Sequence, residues 1–512
     1  MPAESTSDQP GDPQDVTKFP SSEEVICVLK KQASTKDVYE VLSLNQGEQD
    51  GKPSFTLRQS SYTGAEADEN PALQQLYNDF GVEGRPVHLQ PGPQRRMHVI
   101  VSTHSGTKLS LQFYNNVIAP LLEAIGLTTS GESKTGGNGK PDSYNLLITQ
   151  DAESVKNFAR DLADQSRSEK NVEHTVVLLS GDGGVVDMLN SYTSTSDGHH
   201  TSGDDAKSQS LPLIAVLPLG TGNALFHSLH KTVKGPTAVS DLVQGLRTLL
   251  RGKAAPLPSF KAAFPEGSRT ITYSKTADVA SSGNDSTTTA DSTTNLKEQA
   301  EYITHLYGVV VASYGFHSQL VWESDTPAYR QHGAKRFQMV AQELLKESHA
   351  YRATVEITRS TATGEAIGSE KLARDRHTYI LATPVSNLEK TFCISPASRP
   401  LDGQLRLVHF GPVDGAKTME IMMAAYDGGK HVHMRWGGNT AQGQDGEGDG
   451  VGYEDISEVR ITTHEEDARW RKVCIDGTIV EIPAGGCMVV SKEIRRHLRV
   501  LVDESVAHDS TS

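Results

Sequence analysis

The chain contains 512 residues, 36% of them hydrophobic and 6% aromatic, and its 49 lysines and arginines against 64 aspartates and glutamates give a formal net charge of -15. At about 150 residues per domain, this length allows about three domains. Because several long tracts are polar, we expect two. The acidic balance argues against broad electrostatic attraction to nucleic acid or anionic lipid. Any anion that the protein binds must therefore be held by local groups.

The cysteines and the N-terminal residues indicate in which cellular compartment the protein is expected. Cys27, Cys393, Cys474 and Cys487 lie far apart, with no CxxC pair and no histidine at metal-ligand spacing, which argues against a disulfide framework or a zinc ribbon. The sequence begins without the basic and apolar regions of a signal peptide, and no run approaches 18 uninterrupted apolar residues. We expect a reduced cytoplasmic protein without a transmembrane segment, associated with membranes only peripherally.

The N-terminal part of the chain has two regions of different composition. Residues 1–22 are rich in Pro, Ser and Asp, which predicts a disordered tail. The runs VICVLK, YEVLSL and SFTL, between Val25 and Leu57, predict strands separated by polar turns. We therefore expect residues 23–94 to form a short β-rich region, to which no role can be assigned.

From residue 95 to residue 252, apolar runs alternate with helical patterns. The predicted strands are Met97–Ser102, Tyr144–Thr149, Thr175–Ser180 and Leu211–Pro218. The helix after the first strand should be kinked by Pro120 and should stop at Gly126. A β-α-β-α order predicts a parallel sheet with helices on both faces.

Residues 253–502 carry Val-, Ile- and Thr-rich runs between turn signals, which predict an antiparallel, mostly β domain. One helix is expected from Ala334 to about Lys346. Low-complexity tracts at 193–210, near 275–300 and at 436–452 predict disordered insertions, and residues 503–512 predict a tail.

Two glycine-rich turns stand directly after buried strands. Glycines allow consecutive backbone N–H groups to turn toward one anion, and a following helix adds partial positive charge. One such turn alone is typical of an ordinary loop, but two at the carboxyl ends of neighbouring parallel strands indicate a phosphate site. The candidate binding residues are Ser180, Gly181, Gly183, Gly220, Thr221, Gly222 and Asn223.

Both turns resemble the catalytic domain of the diacylglycerol kinase and sphingosine kinase family. The matching segments are SGDGGVVDMLN, residues 180–190, and LPLGTGNAL, residues 217–225, and the similarity extends from about Arg96 to Leu501. The resemblance implies an α/β fold class: an N-terminal α/β nucleotide-binding domain with a parallel sheet, residues 95–252, and a C-terminal β-sandwich lipid-binding domain, residues 253–502. It also allows the final strand, within HLRVLVD, to return to the first domain. It also implies ATP and Mg²⁺ as cofactors, although the metal ligands stay unknown.

Further candidates follow from the same resemblance. The segment beginning STHSG is similar to the family's first nucleotide loop and implies roles for Ser102, Thr103 and His104, while a nucleotide-binding threonine of the family corresponds to Thr149. Phosphate-contacting arginines correspond to Arg330 and Arg336, and the family's DGE motif corresponds to Asp476 and Gly477.

This sequence also departs from the family's pattern. Ser102 and Thr103 replace Asn-Pro, Asp187 replaces a glutamate, and Thr478 replaces the DGE glutamate. Gln319 occupies the position at which sphingosine kinases carry an acidic residue that recognises the substrate amine. We expect Gln319 to contact the substrate and to discriminate weakly between amino-lipids and neutral lipids, because its amide is uncharged.

Phosphoryl transfer needs neutralised phosphates, an acceptor oxygen placed in line and a base for its proton. Asp182, between two glycines at the head of a helix, is the predicted catalytic base; the alternative is a helix cap or turn residue. Arg330 and Arg336 could donate to phosphate or be solvated. Asp476 could hold Mg²⁺ through water or head a turn before Gly477.

We therefore predict a lipid kinase that transfers the γ-phosphate of ATP to a lipid hydroxyl at a membrane surface. A sphingoid long-chain base is the leading acceptor, followed by diacylglycerol and ceramide. The alternative is a catalytically weak relative that acts as a lipid- or nucleotide-binding regulatory module, which the departures at 102, 103, 187 and 478 favour.

Overall fold

The structure is a computed structural model that describes residues 20–33, 36–103, 105–130, 142–169, 171–194, 210–231, 239–275, 296–333, 335–360, 366–437 and 449–509. The chain divides into two compact units, drawn from Met1–Gly84 with Gly235–Arg247 and from Arg85–Lys234 with Thr248–Ser512. Most of the predicted N-terminal tail, and the central parts of the predicted insertions at 195–209, 276–295 and 438–448, lie outside the described residues.

The first unit contains the β-rich region that the N-terminal runs predicted. Its elements are β1 (Val25–Ala33), β2 (Lys36–Gln49), β3 (Lys52–Thr63), α1 (Gly64–Glu69), α2 (Pro71–Phe80) and β4 (Gly81–Val82). The strands form a sheet in the order β3-β2-β1-β4, in which only β4 runs parallel to its neighbour among the described strands. Val28, Val41, Leu73 and Leu76 share a small core, which attaches α2 to the sheet.

Strands and helices alternate through the next part of the chain. They are β5 (Arg95–Val101), α3 (Ser110–Phe113), α4 (Ala119–Ala124), β6 (Thr128–Thr129), β7 (Ser143–Ile148), α5 (Ser154–Ser168), β8 (Glu173–Ser180), α6 (Asp182–Ser194), β9 (Leu213–Pro218), α7 (Ala224–Leu229), α8 (Asp241–Arg251) and β10 (Lys253–Pro256). A π-helical turn, Tyr114–Ile118, joins α3 to α4 immediately before Pro120. Pro120 has no N–H with which to continue the α-helical hydrogen bonds of the preceding turn, and the change to π-helical pairing occurs at this point.

The rest of the chain is mostly strand. It contains β11 (Ser259–Ala263), β12 (Arg269–Lys275), β13 (Leu296–Tyr302), β14 (His305–Gly308), β15 (Ala312–Gly315), α9 (Phe316–Ser324), α10 (Pro327–Arg330), α11 (Lys335–Glu347), β16 (Tyr351–Ser360), β17 (Ala366–Lys371), β18 (Arg376–His377), β19 (Tyr379–Thr383), β20 (Leu405–Phe410), α12 (Gly415–Tyr426), β21 (Arg435–Trp436), β22 (Asp449–Gly450), β23 (Gly452–Thr463), β24 (Lys472–Ile475), β25 (Thr478–Glu481), β26 (Cys487–Glu493), β27 (Arg499–Val502) and α13 (Glu504–Asp509).

The predicted parallel sheet is confirmed. Its strand order is β10-β27-β9-β8-β5-β7-β6, and β8, β5, β7 and β9 run parallel to one another. The last strand of the chain, β27, lies between β9 and β10. Residues 253–256 and 499–502 therefore pair within this sheet. The predicted boundaries placed both segments in the C-terminal domain, but the return of the final strand agrees with what the resemblance allowed.

The C-terminal strands form one large, curled antiparallel sheet, which confirms the predicted antiparallel β domain. The main path is β13-β12-β25-β24-β15-β19-β20-β23-β26-β11-β14, and β16 pairs with β23, β17 and β18. One hydrophobic core joins this sheet to the parallel one, since Val185 and Ile214 belong to the same buried cluster as Tyr314 and Phe410.

Several local features differ from the prediction. The helix expected at 334–346 is α11, but α9 and α12 were not predicted, because their apolar residues do not form a single helical stripe. The last residues of the insertion expected near 275–300 form β13, and β21 pairs with β22 at the ends of the insertion expected at 436–452. Among the described residues, no helix is long and apolar enough to cross a membrane.

Candidate functional site

Glycines from three loops meet where β5, β8 and β9 end. A Cβ added to Gly220 would lie 2.4 Å from the Cα of Gly181, and one added to Gly181 would lie 2.8 Å from the Cα of Gly220. Gly106, with φ +42°, is equally close, because its added Cβ would lie 2.8 Å from the carbonyl carbon of Gly220. The three loops touch through their backbones, and side chains at these positions would force them apart.

Ser105 connects two of these loops and was not among the predicted nucleotide contacts. Its Oγ accepts a hydrogen bond from the backbone N–H of Gly181 at 3.2 Å and lies 3.5 Å from Oγ of Ser180. The signal was present in the sequence as the serine of STHSG, next to Gly106. His104, a predicted nucleotide contact, lies outside the described residues.

The structure brings Thr103 and Thr149 together. The N–H of Thr103 donates to Oγ1 of Thr149 at 3.0 Å, and Oγ1 of Thr103 donates to the carbonyl of Thr149 at 2.8 Å. The N–H of Ser102 donates to the carbonyl of Leu179. Ser102 and Thr103, which stand in place of the family's Asn-Pro, therefore connect the ends of β5, β7 and β8.

Asn223 fixes the conformation of the second glycine turn. Its Oδ1 accepts the N–H of Gly220 at 2.9 Å, its Nδ2 donates to the carbonyl of Gly220 at 3.1 Å, and its φ is +51°. Thr221, between them, is exposed, and a Cβ on Gly222 would lie 3.2 Å from the carbonyl oxygen of Leu388. Gly183 differs from the other glycines of the site, because its added Cβ would meet no atom within 4 Å in the described part of the chain outside its own helix backbone and chain neighbours.

Asp182 begins α6 and binds the start of α7. Its Oδ2 accepts the N–H of Ala224 at 2.7 Å and its Oδ1 accepts the N–H of Leu225 at 3.0 Å. Burial raises the pKa of Asp182, and these two N–H groups partly oppose the increase. The two predicted roles of Asp182, catalytic base and helix cap, are therefore compatible in one side chain. Each carboxylate oxygen that accepts an N–H keeps a second lone pair.

Asp476 is held in a similar way by the segment between β14 and β15. Its carboxylate accepts the N–H groups of Val309 at 2.6 Å, Val310 at 3.0 Å and Val311 at 2.5 Å. Burial raises the pKa of Asp476 to about 7, and the charge of Asp182 adds to the increase. The two carboxylates, which lie far apart in sequence, therefore act on each other electrostatically.

These two carboxylates are the candidate metal contacts. The described residues contain no group of three His, Cys, Asp or Glu side chains that could hold a metal ion by themselves. Mg²⁺ commonly keeps several waters and binds through one or two carboxylates plus substrate phosphates. Asp182 and Asp476 fit that kind of site and do not fit a site built from protein ligands alone.

Asp187 lies on α6, but its charged neighbours lie on α5 and at the N-cap of α5. Burial raises the pKa of Asp187 to about 6, Lys156 acts to lower it and Glu153 to raise it. Its electrostatic partners are therefore helix residues outside the glycine loops.

The predicted phosphate-binding arginines both bind Asp325. Arg330 donates from Nε and Nη2 to the two carboxylate oxygens of Asp325, at 3.0 and 2.6 Å, and from Nη1 to the carbonyl of Tyr273 at 2.8 Å. Arg336 lies 3.6 Å from Asp325 and stacks over Phe337. Arg330 already uses its bidentate face within the protein, and binding a phosphate would require it to exchange Asp325 for the ligand.

Gln319 is fully buried on α9. Its Nε2 donates to Oε1 of Glu323 at 2.6 Å, and Glu323 also binds Arg469 at 2.9 Å. Its Oε1 is buried and has no hydrogen-bond partner among the described residues. A buried carbonyl oxygen without a donor is costly, so a ligand that supplies one would be favoured here.

Comparison with known families bears directly on the glycine loops. Residues 96–251 match the family model of the diacylglycerol kinase catalytic domain. The similarity to this catalytic domain covers less than half of the chain. The matched segment contains all three glycine loops and Asp182, whereas Gln319 and Asp476 lie outside it.

Comparisons with whole proteins give weaker similarity. No curated protein matches the chain. A solved structure of a diacylglycerol kinase from Bacillus anthracis str. Sterne has 11% sequence identity and a TM-score of 0.40, and the match covers 81% of this chain and 100% of that one. Two structures of candidate diacylglycerol kinases from the same organism have 12% identity, TM-scores of 0.42 and the same coverage.

Proposed function

We propose that this protein is a lipid kinase that transfers the γ-phosphate of ATP to a hydroxyl group of a lipid. The observation that carries the proposal is the backbone contact of Gly106, Gly181 and Gly220 beside the buried carboxylate of Asp182, inside the segment that matches the diacylglycerol kinase catalytic domain. Loops that exclude side chains leave their backbone groups to a ligand, and phosphate is the anion that such loops commonly hold.

In the proposed reaction, the lipid hydroxyl oxygen attacks the γ-phosphorus as the bond from that phosphorus to the leaving oxygen of ADP breaks. Asp182 takes the hydroxyl proton and later releases it to solvent. Its raised pKa suits a base, because a carboxylate whose proton affinity is increased accepts a proton more readily. The N–H groups of Ala224 and Leu225 fix its orientation.

Bound Mg²⁺ would neutralise phosphate charge, and Asp182 and Asp476 are the groups that would hold it through its waters. Around the nucleotide, Thr103, Thr149 and the two glycine turns are the proposed contacts. Arg330 and Arg336 remain proposed phosphate contacts only if they give up Asp325.

For the acceptor, we propose a sphingoid long-chain base first, then diacylglycerol and ceramide. Gln319 supports a broad preference, because its unpaired Oε1 can accept from a hydroxyl, an amide or an ammonium group. Glu323 is already bound to Arg469, so the nearest carboxylate does not supply an uncompensated negative charge for a substrate amine.

We also propose that the protein meets its lipid at a membrane surface through α12. Met419, Met423 and Tyr426 are 43%, 57% and 43% exposed and, at spacings of four and three residues, lie on one side of the helix. Ion pairs within the chain, Lys417 with Glu420 and Lys430 with Asp427, compensate the flanking charges. An apolar face with compensated charges suits neutral lipid, and the acidic net charge of the chain argues against broad attraction to anionic lipid.

The deciding experiment is ATP turnover with a panel of lipids in mixed micelles. We expect Mg²⁺-dependent formation of phospholipid from at least one of the three acceptors. A regulatory module is the second candidate, and the engagement of Arg330 by Asp325 favours it. Binding of ATP or lipid without formation of any phospholipid would establish that module and contradict the kinase.

A further inference from the structure

The side chain of Asn190 on α6 pairs with the backbone of β14. Its Nδ2 donates to the carbonyl of Tyr307 at 2.9 Å, and its Oδ1 accepts the N–H of Tyr307 at 2.8 Å. The same Nδ2 also donates to the carbonyl of Val186 at 3.0 Å, which holds the amide against its own helix. A side-chain amide that satisfies both polar groups of one residue takes the place of a neighbouring strand.

β14 lies at the end of the path of the antiparallel sheet, where it pairs with β11. Asn190 pairs with this terminal strand through a side chain of the matched segment. The contact therefore joins the helix that carries Asp182 to the sheet that carries Asp476.

One end of this connection lies on the helix that carries Asp182, and the other end is close in sequence to the residues that bind Asp476. On α6, Asn190 follows Asp182 by about two helical turns, or roughly 12 Å along the helix axis, a distance that a rigid helix keeps constant. On the other side, Tyr307 is followed by Val309, Val310 and Val311, whose N–H groups bind the carboxylate of Asp476. A shift of α6 relative to β14 would change the separation of Asp182 and Asp476.

We propose that Asn190 is a positioning residue that fixes Asp182 relative to Asp476 for phosphoryl transfer. The assignment rests on the proposed kinase function. Asn190 touches neither the reacting atoms nor the glycine loops and acts through α6 and β14. Asn190 is expected to affect the rate through geometry alone, since a displacement of about 1 Å at a reacting group can lower a rate by about 10²-fold.

Asn190→Ala tests the proposal, and Asn190→Gln, which keeps both polar groups on a longer side chain, tests for rescue. Thr193→Val is the matched control. Thr193 lies one turn further along α6, and its Oγ1 donates to the carbonyls of Leu189 and Asn190 within the same helix. Loss of the Thr193 hydroxyl removes hydrogen bonds within α6 but no contact to Tyr307.

The expected result for Asn190→Ala is a kcat about tenfold to 10²-fold lower, with the KM for ATP within about twofold of wild type, because the glycine loops are unchanged. Asn190→Gln should recover part of kcat. Thr193→Val, at a comparable loss in Tm, should keep kcat within about threefold. A kcat that falls in proportion to Tm in both variants, or a kcat for Asn190→Ala near that of wild type, would overturn the proposal.

Amide hydrogen exchange separates this proposal from the kinase function itself. In Asn190→Ala, the amides of Val309, Val310 and Val311 should exchange faster than in wild type, and in Thr193→Val they should not. If wild type forms no phospholipid, the kinase function fails, and this exchange decides whether Asn190 positions Asp476. Unchanged exchange at the three valines would contradict that role.

Discussion

Gly181 and Gly220 touch through their backbones, so that a Cβ on either would lie within 2.8 Å of the other's Cα. Gly220→Ala should therefore separate the two nucleotide loops. We expect at least tenfold weaker ATP binding and a stability loss of about 1–3 kcal/mol, the usual cost of overpacking. Calorimetric titration and urea unfolding measure both. Gly92→Ala, where the added Cβ meets no described atom within 4 Å, is the control.

Gly222 should be less sensitive than Gly220. Its added Cβ would lie 3.2 Å from the carbonyl oxygen of Leu388, a contact that small shifts can relieve. Equal loss of ATP affinity in Gly222→Ala and Gly220→Ala would contradict the explanation by backbone contact.

Gly183 offers the opposite test, because among the described residues no atom outside its own helix backbone and chain neighbours lies within 4 Å of a Cβ added there. Alanine at this position in α6 should stabilise the free protein by about 0.5–1 kcal/mol. If phosphate occupies the space, the same Gly183→Ala variant should bind ATP more weakly. A higher Tm with unchanged ATP affinity would show that the nucleotide does not approach Gly183.

Asp182→Asn should lower kcat by about 10²- to 10⁴-fold, the worth of a positioned general base. The structure adds a cost in stability. An amide can accept only one of the N–H groups of Ala224 and Leu225 and turns its own NH₂ toward the other, so we expect a loss of about 1–3 kcal/mol. Activity within a few-fold of wild type, measured on protein shown to be folded, would exclude Asp182 as the base.

The buried carboxylate of Asp476 predicts a pH dependence of stability. Its pKa is raised to about 7 in the folded protein from an ordinary value of 3.8. The folded state therefore binds more protons than the unfolded state in that window, and the contribution of this group to stability falls as pH rises from about 4 to about 7. Asp187, with its pKa raised to about 6, acts in the same direction.

Buried histidines oppose this trend. Burial lowers the pKa of His174 and of His317 to about 4, so their contribution to stability falls as pH decreases below about 6.5. The measurement is therefore the difference in unfolding free energy between wild type and Asp476→Asn, at pH 5 and at pH 8. We expect wild type to lose stability relative to the variant on going to pH 8. A difference that does not change with pH would contradict the raised pKa.

Gln319→Asp should raise kcat/KM for a sphingoid base relative to diacylglycerol by about tenfold, equivalent to about 1.4 kcal/mol. The new carboxylate would face Glu323, the present partner of Gln319, and the repulsion should lower stability until an amine is bound. Gln319→Met, uncharged and of similar length, should change both substrates alike. An unchanged preference in Gln319→Asp would show that this position does not recognise the acceptor.

Replacing both Met419 and Met423 by serine should weaken binding to phosphatidylcholine vesicles by about tenfold. The reason is that the double variant buries less apolar surface when it binds the membrane. Activity on a short-chain, monomeric substrate should not change. Ile494→Ser is the control, since Ile494 is 89% exposed but lies outside α12. Equal loss of vesicle binding in the control and the double variant would contradict a specific role of α12.

Local patterns in the sequence were sufficient for the α/β fold class. The alternation of apolar runs and helical stripes between residues 95 and 252 depends on periodicities that neighbouring residues determine, and β5, β7, β8 and β9 lie where those runs predicted them. The two glycine turns could be placed for the same reason, because each follows a buried strand directly.

Tertiary structure decided which side chains those turns meet. Ser105 binds the N–H of Gly181, and Asp476 interacts with Asp182, across separations in sequence that no local pattern encodes. The return of β27 to the parallel sheet depends likewise on pairing with β9 and β10. Sequence alone could name Arg330 and Gln319 as polar candidates, but the partners Asp325 and Glu323 emerge only from packing, because a buried polar group binds whichever groups the fold brings within reach.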